Sequence, residues 1–105
     1  MRLRAGERLK AIRELMGLTR EEFANLLSLD MIRISNIEQK RAKVAEEEFE
    51  KVGQRFPELI PYLAYEGDIV LADLKASDEK LCALVAAKIE AGQIPRGFHL
   101  EENLK

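Results

Sequence analysis

Apolar residues recur every three to four positions through most of this chain, the spacing of helices buried along one face. Over residues 4–16 they are Leu9, Ile12, Leu15 and Met16, and Gly17 stands where such a helix would stop. Thr19 is placed as an N-cap with Glu22 three residues later, a capping box. Phe23, Ala24, Leu26 and Leu27 then form one apolar face. Ser28-Leu29-Asp30 breaks the period, and Asp30 suits the cap of a second short helix. In that helix Ile34 and Ile37 turn inward, while Met31, Ile32, Arg33 and Asn36 turn outward. Two helices joined by so short a turn predict a helix-turn-helix crossing.

The pattern continues with a helix over Val44 to Phe56, striped by Phe49, Val52 and Phe56. Glu46, Glu47 and Glu48 favour its N-terminus through the helix dipole, and all three are expected to face away from any nucleic acid. Gly53, mid-helix, suggests close packing. A fifth segment runs from Pro57 to Gly67. Pro57 fits a first helical position, whereas Pro61 requires the helix to restart or begin late. Tyr62 and Tyr65 fit a core or an interface better than chemistry. Residues 68–76 leave a short strand and a packed turn both open. Ser77-Asp-Glu-Lys then caps a helix over about 77–91 that ends at Gly92, with Leu81, Leu84, Val85 and Ile89 on one face. Cys82, Ala83, Ala86 and Ala87 keep it slim. That face either dimerises or packs back on the core. The tail from Pro95 to Lys105 carries no fold signal.

Residues 18–41 resemble the Cro/lambda-repressor-like helix-turn-helix family, the xenobiotic-response-element type. The matching features are Leu18-Thr19 opening the second helix, Ala24 at the helix contact, Leu29 in the turn, Ile34-Ser35, and Ile37-Glu38 closing the third helix. The resemblance covers about half the chain, from Arg8 to Phe56, and the stretch from Arg55 to Gly67 is more weakly similar to phage-type regulators. Three positions depart from the family pattern. Arg20 replaces a usual Gln, Ser28 a frequent Gly, and apolar Met31 and Ile32 stand where polar base-reading residues are common.

The resemblance implies an all-α, five-helix lambda-repressor-like DNA-binding domain over residues 1–66. Residues 67–105 form a C-terminal extension carrying the additional helix. It also implies that Arg13 in the first helix pairs with Glu38; the alternative is two exposed charges worth little. The loop Lys40-Arg41-Ala42-Lys43 is implied to run beside the DNA backbone, where mobile cations supply affinity and its salt dependence; otherwise it is simply a solvated loop.

Charge sharpens this picture. The chain of 105 residues carries a net charge of −2, an awkward sign for a DNA binder. Residues 1–43, however, hold ten Lys and Arg against six Asp and Glu, a net +4, and residues 44–105 hold seven against thirteen, a net −6. A basic half on an acidic carrier suits a protein that meets phosphate with one face. An apolar share of 47% fits a globular chain with a modest core. No apolar run approaches the ~20 residues of a membrane span, and Met1 to Arg8 shows no secretion-signal core. The single cysteine, Cys82, points to a reducing, cytoplasmic setting. His99 is the only histidine, no metal-ligand spacing is present and no glycine-rich loop precedes a helix, so neither an enzyme nor a cofactor is expected.

The expected function is therefore a sequence-specific DNA-binding regulator, a dimeric repressor of a phage, prophage or autoregulated operon, bound to palindromic double-stranded DNA. Arg33 would read guanine, Asn36 adenine, and Met31 and Ile32 thymine methyl groups in the major groove. Thr19, Arg20, Lys40, Arg41 and Lys43 would hold phosphates. The alternative is a protein-binding module on the same fold, antitoxin-like or anti-activator, which the apolar pair Met31 and Ile32 would suit. Both can coexist, with a regulatory partner or second subunit on residues 62–90.

Overall fold

A computed structural model of the chain describes residues 4–65 and 67–93. Within them the chain is all-helical. The helices are α1 (Ala5–Leu15), α2 (Arg20–Leu27), α3 (Met31–Glu38), α4 (Glu46–Arg55), α5 (Ile60–Tyr65), α6 (Leu71–Ala76) and α7 (Lys80–Glu90), with a 3₁₀ turn at Pro57–Leu59 before α5. The 3₁₀ turn carries Pro57, and α5 starts afresh with Pro61 in its first turn, where a missing N–H costs nothing. Residues 68–70 form neither of the predicted alternatives as a whole. Ile69 is buried, and Leu71 begins a short helix.

Capping follows the local chemistry closely. Thr19 Oγ1 accepts from the Glu22 N–H at 3.1 Å while Glu22 returns a carboxylate to the Thr19 N–H at 2.9 Å. Asp30 accepts from the Ile32 N–H at 3.1 Å and starts α3. Helix α7 begins three residues later than Ser77 suggested, with Glu79 as its cap on the Leu81 N–H and Ser77 supporting the Glu79 N–H. At the other ends, α1, α2 and α3 close in the same manner. The Leu18, Leu29 and Arg41 N–H groups reach back to the carbonyls of Arg13, Ala24 and Asn36, the long bond of a Schellman cap. That cap places one residue in the left-handed region. Gly17 fills it after α1 at φ +73°, but after α2 and α3 the residues are Ser28 at +57° and Lys40 at +67°.

One hydrophobic cluster runs through all of these elements. Leu9, Ile12, Phe23, Ile34, Ile37, Val52, Phe56, Leu59 and Leu63 are essentially inaccessible to solvent, and so are Ile69, Leu74, Cys82 and Val85 from the C-terminal part. The extension after residue 66 is thus built into the same core, with α7 packed on α6 and α1. An Arg55–Glu79 pair at 3.1 Å and a Lys75–Glu90 pair tie its edges.

This packing divides the α7 face expected to dimerise. Val85 and Ile89 lie in the chain's own core, Leu81 is half-buried against it, and of the four only Leu84 is exposed. The stripe faces inward, packed with α6 and α1 in the one core, so α7 cannot offer Val85 and Ile89 to a second subunit. Gly53 also differs from expectation. A Cβ there would meet Ile60 side-chain carbons at 3.4 and 3.5 Å, which is ordinary contact. The close approach is at Gly6, where a Cβ would fall 2.4 Å from the Ile37 carbonyl oxygen. Helix α1 therefore lies directly against the end of α3.

Candidate nucleic-acid interface

Helix α3 is held by its buried side and its last residue. Ile34 and Ile37 sit in the core, and the Glu38 carboxylate is fully buried at the junction with α1 and α2. Arg13 binds both of its oxygens, Nε to Oε2 at 2.7 Å and Nη2 to Oε1 at 2.9 Å, and sends Nη1 to the Leu18 carbonyl at 2.7 Å. The bidentate geometry is the strong form of this pairing. Arg20 joins the same carboxylate, Nε to Oε1 at 2.9 Å. The expected Arg13–Glu38 pair is therefore present, and Arg20 is a further member that sequence reasoning placed on phosphate alone. Arg13 also lies 4.0 Å from the exposed Glu14, and the Arg20 side chain stays one-third exposed.

Arg33 is likewise engaged. Its Nε and Nη2 donate to Glu48 Oε2 and Oε1 at 3.0 and 3.1 Å, and Nη2 also donates to the Lys43 carbonyl at 2.8 Å. Glu48 accepts in addition from the Ala45 N–H at 2.6 Å. Of the three acids that open α4, Glu46 and Glu47 are exposed, whereas Glu48 is buried and turned toward α3 rather than away from it. Burial pushes the Glu48 carboxyl up; the Arg33 hydrogen bonds, the Ala45 amide and the Arg33 charge outweigh it and hold its pKa below the usual 4.5. The Glu48 hydrogen bonds raise the Arg33 pKa in turn. Arg33 is thus fixed at the rim of α3, with its Nε and Nη2 edge spent on Glu48. Reading guanine with that edge would require Arg33 to leave Glu48 and the Lys43 carbonyl.

The remaining predicted residues are spread over one continuous stretch from the start of α2 to the loop after α3. Met31 is 44% exposed and Ile32 63%. Asn36 is half-buried, and its carbonyl takes the Arg41 and Ala42 N–H groups. Thr19 is exposed, but its hydroxyl is committed to the α2 cap. Lys40 lies 3.8 Å from Glu7. Arg41 and Lys43 are exposed and form no ion pair among the described residues. The exposed part of α3 therefore offers apolar and amide groups, bordered by cations on the loop that follows it. Among the described residues no group of His, Cys, Asp and Glu could hold a metal ion, and His99 lies outside them. Cys82 is buried, and burial raises its thiol pKa to about 11.

Compared with known proteins, the chain matches no family model, no curated protein and no solved structure.

Proposed function

We propose that this chain is a sequence-specific DNA-binding regulator of the lambda-repressor-like helix-turn-helix type. It acts as a dimeric repressor of a phage, prophage or autoregulated operon in the cytoplasm, and α3 lies in the major groove. The observation that carries the proposal is the neutralised Glu38. An acid at the end of α3 would repel phosphate; Arg13 and Arg20 neutralise it, and Arg20 stays one-third exposed at the start of α2. Arg41 and Lys43 stand on the loop that follows α3, so phosphates can be met from the start of α2 and from that loop. Met31 and Ile32 touch thymine methyl groups, Asn36 contacts adenine, and Arg33 donates through Nη1. Dimerisation uses a surface other than the Val85–Ile89 side of α7. No helix among the described residues is long and apolar enough to cross a membrane.

The experiment is selection of bound duplexes from a random pool, followed by titrations at several salt concentrations. The expected result is an enriched palindrome whose affinity falls steeply with salt. Lys43→Ala should weaken all sequences alike and reduce the salt slope by about one, whereas Arg33→Ala should relax preference at one position per half-site. A pool that yields no enriched sequence overturns the proposal. One observation favours a second reading. Arg33 is tied to Glu48, which leaves Met31 and Ile32 as the most prominent exposed groups of α3, and a protein partner would bury them well. That partner would bind with little salt dependence.

A further inference from the structure

Between the start of α1 and the loop after α3 lies a cavity of about 370 Å³, within the usual size of small-molecule sites. Among the described residues its walls carry four cations, Arg4, Arg8, Lys40 and Lys43, and no carboxylate. Its apolar lining comes from Ile37, Ala42, Val44 and Phe49. Arg8 is buried, with Nε donating to the Leu63 carbonyl at 3.1 Å, so its charge is held in place. Arg4 is exposed and reaches across to the Lys40 carbonyl at 3.5 Å. Glu7 lies outside the lining and is occupied by the Arg4 N–H at 2.9 Å and by Lys40 at 3.8 Å.

We infer that this cavity binds a small amphipathic anion, a carboxylate or sulfonate head on an apolar body, and that the bound anion lowers affinity for DNA. A wall with this excess of cations selects negative charge. A bare inorganic anion would meet the cations but leave the Val44 and Phe49 surface in water, while a neutral hydrocarbon would give the Arg4 and Lys43 charges no anion. The effect on DNA rests on the proposed function. Lys40 and Lys43 line the cavity and also stand among the phosphate contacts, so an anion that draws them inward removes them from the DNA backbone.

The test begins without DNA. Decanoate below its micellar concentration is titrated into the full chain and followed by amide NMR, with decanol and inorganic phosphate as separate probes. Saturable shifts clustered at Gly6, Lys43, Val44 and Phe49 are expected for decanoate, with decanol and phosphate at least about tenfold weaker, the worth of one charge-assisted hydrogen bond. Arg4→Gln and Ala42→Leu, which remove a cation and fill space, should each weaken decanoate by a similar factor while the remaining spectrum stays that of the parent. Scattered shifts, phosphate binding as tightly as decanoate, or parent-like binding by both variants would overturn the site. The selected duplex is then titrated with and without decanoate. An unchanged duplex affinity overturns the coupling, whereas a chain that holds decanoate but binds no duplex refutes the DNA-binding proposal and leaves the cavity site standing.

Discussion

Arg13 grips both carboxylate oxygens of Glu38, at 2.7 and 2.9 Å, and so joins the middle of α1 to the last residue of α3. Their burial makes the pair unforgiving. Removing one member of a buried ion pair strands the other charge, at a cost of about 3–5 kcal/mol. Glu38→Gln keeps the size and removes the charge, and is expected to lose a large part of that amount in urea unfolding followed by circular dichroism. Arg20→Gln should cost about 1 kcal/mol or less, because the Arg20 side chain is one-third exposed and solvent screens it. If Glu38→Gln unfolds at the parent's urea concentration, the pair does not anchor α3.

Glu48 ties acid stability to the placement of Arg33. Its folded pKa lies below the ordinary 4.5, so the folded state holds this proton less tightly than the unfolded chain. The corresponding stability is complete above the ordinary value and drains away as pH falls through the lowered one. Glu48→Gln should be less stable than the parent near neutral pH. The difference between the two should shrink as the pH is lowered below about 4.5, the ordinary value. Urea titrations at stepwise pH values measure it; a difference constant down to the lowest folded pH would mean that Glu48 titrates normally.

Backbone conformation supplies a prediction with opposite signs at different positions. Ser28 occupies the left-handed residue of its cap at φ +57°, a conformation that costs an L-residue about 1–2 kcal/mol. Ser28→Gly should recover roughly 1 kcal/mol of this, partly offset by the greater freedom of unfolded glycine. Gly53→Ala should also stabilise, by ~0.5–1 kcal/mol, since it sits inside α4 with room for a Cβ. Gly6→Ala should destabilise by more than either gain, because its Cβ would strike the Ile37 backbone. Thermal melts of the three variants check the order: Ser28→Gly and Gly53→Ala above the parent, Gly6→Ala below it.

These residues also show what the sequence made legible. The caps at Thr19, Asp30 and Gly17 could be read because each depends on residues within one turn. Helical periodicity picked out the buried faces of α1 to α4 for the same reason. The Arg13–Glu38 pair was reached through resemblance alone, since its members are 25 positions apart. No such guide links Arg33 to Glu48: the outward face of α3 assigns one to guanine, and the helix dipole sets the other at the start of α4, facing away from nucleic acid. The stripe on α7 was visible, but its partner was not. Periodicity gives the apolar side of a helix without saying whether the chain's own core or a second copy covers it. Gly6 carries no local signal, since a glycine in the first turn of a helix reads only as a weak start, and the path of α3 gives it meaning.

The apolar pair on α3 admits a direct chemical test. If Ile32, the more exposed of the two, lies against thymine in the groove, the thymine C5-methyl is buried on binding and contributes on the order of 0.8 kcal/mol. Replacing thymine with uracil, one position at a time in the selected duplex, removes that methyl and nothing else. The parent protein should then bind about fourfold less tightly at the contacted position, the fold-change equivalent to that energy. Ile32→Ala should bind the thymine and uracil duplexes alike, so that the protein and DNA changes are not additive. Uracil tolerated by the parent at every position would separate Ile32 from the bases. The exposed Met31 and Ile32 surface would then fit a protein partner better than the major groove, and Ile32→Asp, harmless to DNA binding in that case, would be the variant with which to trace it.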